Sequence, residues 1–192
     1  MSSLAEIAER LVRLETRVPE MLMRLRQHDD VLAIRQCVTR YMELCDKLDA
    51  SSPLAELLDC FTEDASWAGK GARYGASFGG FEGRAEIGEM FSRYMGTPPH
   101  FALNVHFLTS EEVTVTNENA ARASWVMLQA STFASGESHL HAARLGLDMV
   151  RCADGRWRIA RFETENLFSR PIGHWQSDAV LPVPPVTGSV ND

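Results

Sequence analysis

The chain has 192 residues, 45% hydrophobic and 23% charged, which suits one globular domain with an appendage. A formal charge of −7 with no basic stripe excludes a nucleic-acid partner. No apolar run nears the ~20 residues that span a bilayer, and charges at Glu6, Glu9, Arg10 and Arg13 interrupt any signal-peptide block. The four cysteines (Cys37, Cys45, Cys60, Cys152) form no CxxC pair, so they read as free thiols in a reducing cytoplasm.

In chain order, Leu4, Ile7, Leu11, Leu14, Val18, Met21 and Leu25 are spaced 3, 4, 3, 4, 3, 4, an a/d stripe. Such a helix packs either on its own domain or across a subunit boundary. Pro19 inside it predicts a kink or a split. Asp29 or Asp30 can cap a second helix carrying Val31, Ile34, Val38, Tyr41, Met42, Cys45 and Leu48 on one face. A helix over Leu54 to Phe61 and a strand over Ala65 to Ala68 follow. Six glycines between 69 and 83 predict a long loop, a short strand at Tyr74 to Phe78, and a flap over a pocket mouth. Arg84 to Tyr94 reads as a helix.

From there the pattern is strands: His100 to Leu108, Glu112 to Asn117, Ala120 to Phe133, Ser138 to Cys152 and Arg156 to Phe168. Helices first and an antiparallel meander second is an α+β plan. The expected division is an amphipathic helical extension (1–28), a domain (29–170) and a proline-rich tail (171–192).

One strand carries the candidate chemistry. Alternation puts His100, Ala102, Asn104 and His106 on one face and Phe101, Leu103, Val105 and Phe107 on the other. The polar face either meets water or lines a cavity.

The series Tyr41-x4-Asp46-x2-Asp49, Leu58-Asp59-Cys60-Phe61-Thr62-Glu63-Asp64-Ala65-x-Trp67, Phe81-Glu82-Gly83-Arg84-x-Glu86-Ile87-x2-Met90-Phe91, His100-x3-Asn104 and Gly155-Arg156-Trp157-Arg158-Ile159-Ala160-Arg161-Phe162 resembles a SnoaL-like domain of the nuclear transport factor 2-like superfamily. The order and spacing carry the resemblance, over roughly residues 29 to 168. It implies a cone, a curved antiparallel sheet wrapped around three helices, with a pocket inside and an outer face that often packs against other subunits; the expected assembly is a homo-oligomer, a trimer. The scytalone dehydratase, bile-acid dehydratase and hexachlorocyclohexane dehydrochlorinase branches imply a His–Asp dyad, matched here by His100 and Asp46. A neutral imidazole takes a proton near pH 7, and a carboxylate on its other nitrogen fixes the tautomer. The plain alternative is a solvated helix aspartate and a strand-entry histidine.

Tyr41, about 140° around the helix from Asp46, matches the bile-acid dehydratase pattern, or is a core aromatic. Asn104 can donate to an oxyanion, or pair strands. Arg161 alternates with Trp157 and Ile159, so it lies at the pocket if that face is inner. His106 lies behind Asn104 or at the sheet rim, as the less favoured base. His139-Leu140-His141 puts two imidazoles on one face. With no Glu following, substrate contact by His141 is preferred to a metal site. Trp67, Phe78, Met90, Phe91, Trp125 and Met127 suggest an apolar, aromatic or polycyclic substrate.

The expectation is a cofactor-independent lyase eliminating water, halide or a small carbonyl fragment, with no metal. Two alternatives stand: an isomerase or cyclase in the same pocket, and a non-catalytic assembly subunit resembling the small subunit of ring-hydroxylating dioxygenases.

Overall fold

In a computed structural model, residues 4–173 are described, all but the Ala5 side chain. The proline-rich tail from residue 174 onward lies outside them. Ten elements run in the order α1 (Leu4–Asp46), α2 (Leu54–Leu58), β1 (Phe61–Lys70), α3 (Gly71–Phe78), β2 (Gly80–Glu82), α4 (Gly83–Ser92), β3 (Phe101–Asn117), β4 (Ala120–Phe133), β5 (Ser138–Arg151) and β6 (Trp157–Gly173). The six strands form one open sheet ordered β2-β1-β6-β5-β4-β3. Only β1 and β6 pair in parallel; the other neighbours are antiparallel. This is the α+β cone expected, with the helices inside the curve.

Curvature comes from extra residues. Register shifts interrupt β3 against β4 after Phe101 and Thr109, and β6 against β5 near Asp148 and Ala142. A bulge bends its strand and sharpens the local twist. At the Thr109 shift Ser110 takes φ +50°, so the two strands expected on either side of it are one bent strand, β3.

The first helix corrects the expected break. α1 runs unbroken through Pro19, and Asp29 and Asp30 cap nothing. Pro19 is exposed, so the Glu15 carbonyl it leaves without a helical donor faces water. Asp30 is buried and ties the helix to the sheet: the Trp157 indole N–H donates to its Oδ1 at 3.2 Å, and Arg151 pairs with it while lying over the Trp157 ring. From Asp30 on, Ile34, Val38, Tyr41, Met42 and Cys45 fill the cone. They meet Ala123, Trp125, Met127, Leu145, Leu147, Ile159 and Phe162 of the inner sheet face.

The glycine-rich stretch is also corrected. Residues 71–78 form helix α3 rather than a loop with a strand. Gly71 (φ +68°) and Gly79 (φ +68°) turn the chain into and out of it. A Cβ on Gly69 would stand 2.3 Å from the Tyr74 carbonyl oxygen, so the close return of α3 on β1 requires glycine there.

Candidate active site

A cavity of about 420 Å³ opens inside the cone, within the range of small-molecule sites. Its apolar depth is lined by Met42, Trp67, Phe78, Met90, Phe91, Met127, Leu145 and Phe162. Trp125, expected there, is buried in the core instead. Tyr41 reaches the cavity but is otherwise enclosed. Its ring packs edge-on against Phe61, Phe91 and Phe162, and its hydroxyl accepts the Trp67 indole N–H at 3.1 Å. Burial pushes the Tyr41 phenol well above its usual range, so it stays protonated.

The polar part of the cavity is one row across four strands. His106 on β3 pairs with Gln129 on β4, Gln129 with His141 on β5, and His141 with Ser169 on β6. All four side chains line the cavity, because residues directly opposite one another share a face. One row on, Asn104 pairs with Ser131 and Ser131 with His139.

The end of α1 docks on this row. The Asn104 amide donates to the Cys45 carbonyl at 3.1 Å. Two residues along β3, His106 Nδ1 lies 2.6 Å from Asp46 Oδ1, and the His106 backbone N–H donates to the same oxygen at 3.1 Å. A carboxylate only accepts, so Nδ1 carries a proton, and in the neutral imidazole Nε2 is then the nitrogen with the lone pair. The His106 side chain is 9% exposed, against 24% for Asp46. Desolvation on that scale strengthens a charge-assisted bond.

This departs from the expected dyad. Asp46 is engaged by His106, not by His100. His100 lies in the bend before β3, exposed at the cavity rim, with its ring edge-on to Tyr94 and Phe133. Both histidines reach the cavity; the point where α1 ends decides which one meets the carboxylate. Asn104 lines the cavity, but its amide oxygen accepts from Gln129 (2.7 Å) and Ser131 (2.8 Å). With its donation to Cys45, it serves as a brace holding β3, β4 and α1 together.

Arg161 is outside the cavity. Between β6 and β5, Ile159 opposes Met149 and Arg161 opposes Asp148, so two steps on β6 match one on β5. That bulge inverts the alternation: Trp157, Ile159, Phe162 and Thr164 point inward, and Arg161 binds Asp148 (2.8 Å) and Glu163 (2.9 Å).

The cation that does line the cavity is Arg73 on α3. Sequence reasoning missed it because the stretch read as a loop. Gln129 and Ser169 were also missed. Read from the sequence, a turn at Ser135-Gly136-Glu137 sets residue 129 opposite residue 143, on the same strand face as residue 141, so Gln129 had a signal. Ser169 lies one residue beyond the expected strand end.

The Ser169 hydroxyl and His141 Nδ1 are 2.8 Å apart, and the His139 and His141 rings stack at 5.3 Å. Burial, with His139 and Arg73 adding to it, lowers the His141 pKa to about 4, so its imidazole is neutral at pH 7. Among the described residues, no group of three or more His, Cys, Asp or Glu side chains converges on a metal position.

A cone-shaped α+β fold with its cavity inside the sheet is that of the nuclear transport factor 2-like superfamily. Within it the chain belongs to the SnoaL-like domain family, whose pattern matches residues 26–163. A solved structure named for an aromatic ring hydroxylase of Novosphingobium aromaticivorans is similar at 23% identity, covering 74% of this chain and 93% of its own, with TM-score 0.63. One named for a scytalone dehydratase of the same organism shares 16% identity over 85% of this chain and 97% of its own, TM-score 0.64. Hexachlorocyclohexane dehydrochlorinase LinA-type3 from Novosphingobium barchaimii shares 17% over 84% and 99%, TM-score 0.63. At these identities the likeness is one of fold. No curated protein matches the chain.

Proposed function

We propose that the chain is a cofactor-independent lyase in which His106, oriented by Asp46, removes a proton from the substrate. The observation that carries this reading is the 2.6 Å His106–Asp46 contact at the wall of an otherwise apolar cavity. Nε2 of His106 takes the proton, and Asp46 steadies the imidazolium that forms. Across the row, neutral His141, Gln129 and the Arg73 cation are placed to receive a substrate oxygen or a departing anion. The aromatic lining favours a small hydrophobic substrate with a ring system. Proteins named for a dehydratase and a dehydrochlorinase share the fold, which supports elimination of water or halide.

No described helix is long and apolar enough to cross a membrane, and the free cysteines fit a cytoplasmic protein. The outer sheet face supports association between copies of the chain, which we propose to be a homotrimer. Phe107, Leu128, Ala142 and Phe168 stand opposite one another across β3 to β6, an apolar row behind the polar one. Phe107 is 53% exposed.

The test is turnover on a panel of halogenated cyclohexanes and hydroxylated cyclic ketones, scored by product mass. His106→Ala and Asp46→Asn are expected to lose about 10²- to 10⁴-fold in kcat/KM, while His100→Ala keeps most of it. Full activity in His106→Ala would sink the reading. A product of unchanged mass would make the chain an isomerase or cyclase in the same pocket. Absence of turnover with stable co-purification of a large partner would make it an assembly subunit.

A further inference from the structure

The helix α1 is used on two opposite sides. Its C-terminal part buries Ile34, Val38 and Tyr41 in the cone. The heptad stripe of its N-terminal part stays bare: Leu4, Ile7, Leu11, Leu14, Val18, Met21 and Leu25 are all exposed, Leu4 at 87% and Met21 at 63%. At about 100° per residue, Leu25 and Ile34 are nine residues and so half a turn out of phase. The chain's own domain therefore cannot cover the stripe. Helical stability in proteins comes mostly from packing of an apolar face, and a contiguous exposed apolar strip marks an interaction site.

The charges flanking the stripe say what covers it. With Leu4, Leu11, Val18 and Leu25 at a and Ile7, Leu14 and Met21 at d, the g positions are Arg10, Arg17 and Arg24. The e positions are Ala8, Glu15, Leu22 and Asp29. In a parallel assembly of identical helices each g residue meets the e residue five positions later on its neighbour. That pairs Arg10 with Glu15 and Arg24 with Asp29, and sets Arg17 beside an apolar Leu22. An antiparallel pair would set the g arginines against one another on one flank and the e residues, with Glu15 and Asp29, against one another on the other. Among the described residues none of Arg10, Glu15, Arg24 and Asp29 has an ion-pair partner inside the chain, although all four are exposed.

We infer that residues 4–29 form a parallel, in-register coiled coil with other copies of this chain. Leucine at most a positions, with isoleucine at the first d, favours three or four strands over two. The seam would run about 33 Å from Leu4 to Leu25. It is separate from the outer sheet face, and it stands or falls independently of the cavity's chemistry.

Cysteine cross-linking in the full chain tests it. Ile7→Cys and Met21→Cys are made separately and oxidised with copper phenanthroline in air, which takes two electrons and two protons from each thiol pair. A parallel in-register seam sets each new cysteine beside its own twin, so both variants give covalent dimers on a non-reducing gel. The unsubstituted chain, with its four cysteines, is the control. An antiparallel seam can bring at most one of these positions to its twin, and arms held apart bring neither; cross-linking of only one variant, or of none, overturns the inference. As a second measure, Arg10→Glu is expected to weaken association about 2- to 5-fold at low salt, and Arg10→Glu with Glu15→Arg to restore it. Equal association in all three chains overturns the pairing.

Discussion

His106 and His141 face the same cavity with the same ring and opposite surroundings. The carboxylate of Asp46 accepts a hydrogen bond from Nδ1–H of His106, which turns Nε2 toward the role of base in the reaction proposed above. His141 has a serine hydroxyl in place of a carboxylate, with His139 and Arg73 nearby, so charging it is unfavourable. In the reaction proposed above His106 accepts a proton and His141 remains neutral, so environment alone separates the two roles. This has a consequence for stability. The His141 pKa falls from 6.5 to about 4 on folding. Between those values the unfolded chain binds a proton that the folded chain refuses, so stability falls as pH drops from about 6.5 to about 4 and is flat above. His141→Gln removes that penalty while keeping a polar partner for Ser169. The melting temperature of the unsubstituted chain is expected to decline more steeply than that of His141→Gln across this window, as followed by circular dichroism. Parallel declines would show that His141 titrates normally.

At the scale of elements, the order and type of most of them were legible, because apolar periodicity is strong in α1, α4 and the last four strands. What was not legible came from residues that break a period. The bulge between Ile159 and Arg161 carries no residue signal, so alternation put Arg161 on the face of Trp157 and Ile159, which proves to be the inner one, while Arg161 is outside. The glycines around α3 read as a loop because each weakens helix propensity, yet Gly71 and Gly79 only bracket the helix. The dyad was half legible: the residue types and the face were visible, but the docking of α1 at Asn104 and His106 is a tertiary fact that no local pattern encodes. Gly69 is where element and site meet. A methyl group there would meet the Tyr74 carbonyl at 2.3 Å and the Phe78 side chain at 3.1 Å. Backbone cannot yield as a flexible side chain does, so Gly69→Ala must displace α3. Overpacking of this kind costs about 1–3 kcal/mol. Because α3 carries Arg73, Tyr74 and Phe78 into the cavity wall, the variant is expected to lose substrate affinity, as a raised KM, more than it loses kcat. An unchanged melting temperature would mean that α3 is not held against β1 in solution.

On the scale of the whole molecule, the inner and outer faces of one sheet have opposite characters at adjacent positions. His106, Gln129, His141 and Ser169 line the cavity, while Phe107, Leu128, Ala142 and Phe168 back them. Ala130 and Ala142 are buried yet lie outside the core cluster, which marks a second apolar layer on the outside of the cone. Within one chain that layer is already covered at Ala130 and Ala142, and Phe107 at its edge is left half-exposed. The sheet face at Phe107 and the helical stripe are the two surfaces proposed above to meet further copies, and substitutions can take them apart. Phe107→Asp puts a charge into the sheet contact, where an unpaired desolvated carboxylate is costly. Chains so altered are expected to remain joined through α1 alone, as a more extended particle with a higher frictional ratio in sedimentation and a concentration-dependent mass. Leu11→Glu with Val18→Glu removes the stripe instead, leaving a compact oligomer held by the sheet. Only the three substitutions together are expected to give the 21.4 kDa monomer. A monomer from Phe107→Asp alone would mean that the stripe adds nothing to assembly, and an unsubstituted chain sedimenting as a monomer would mean that neither face is used.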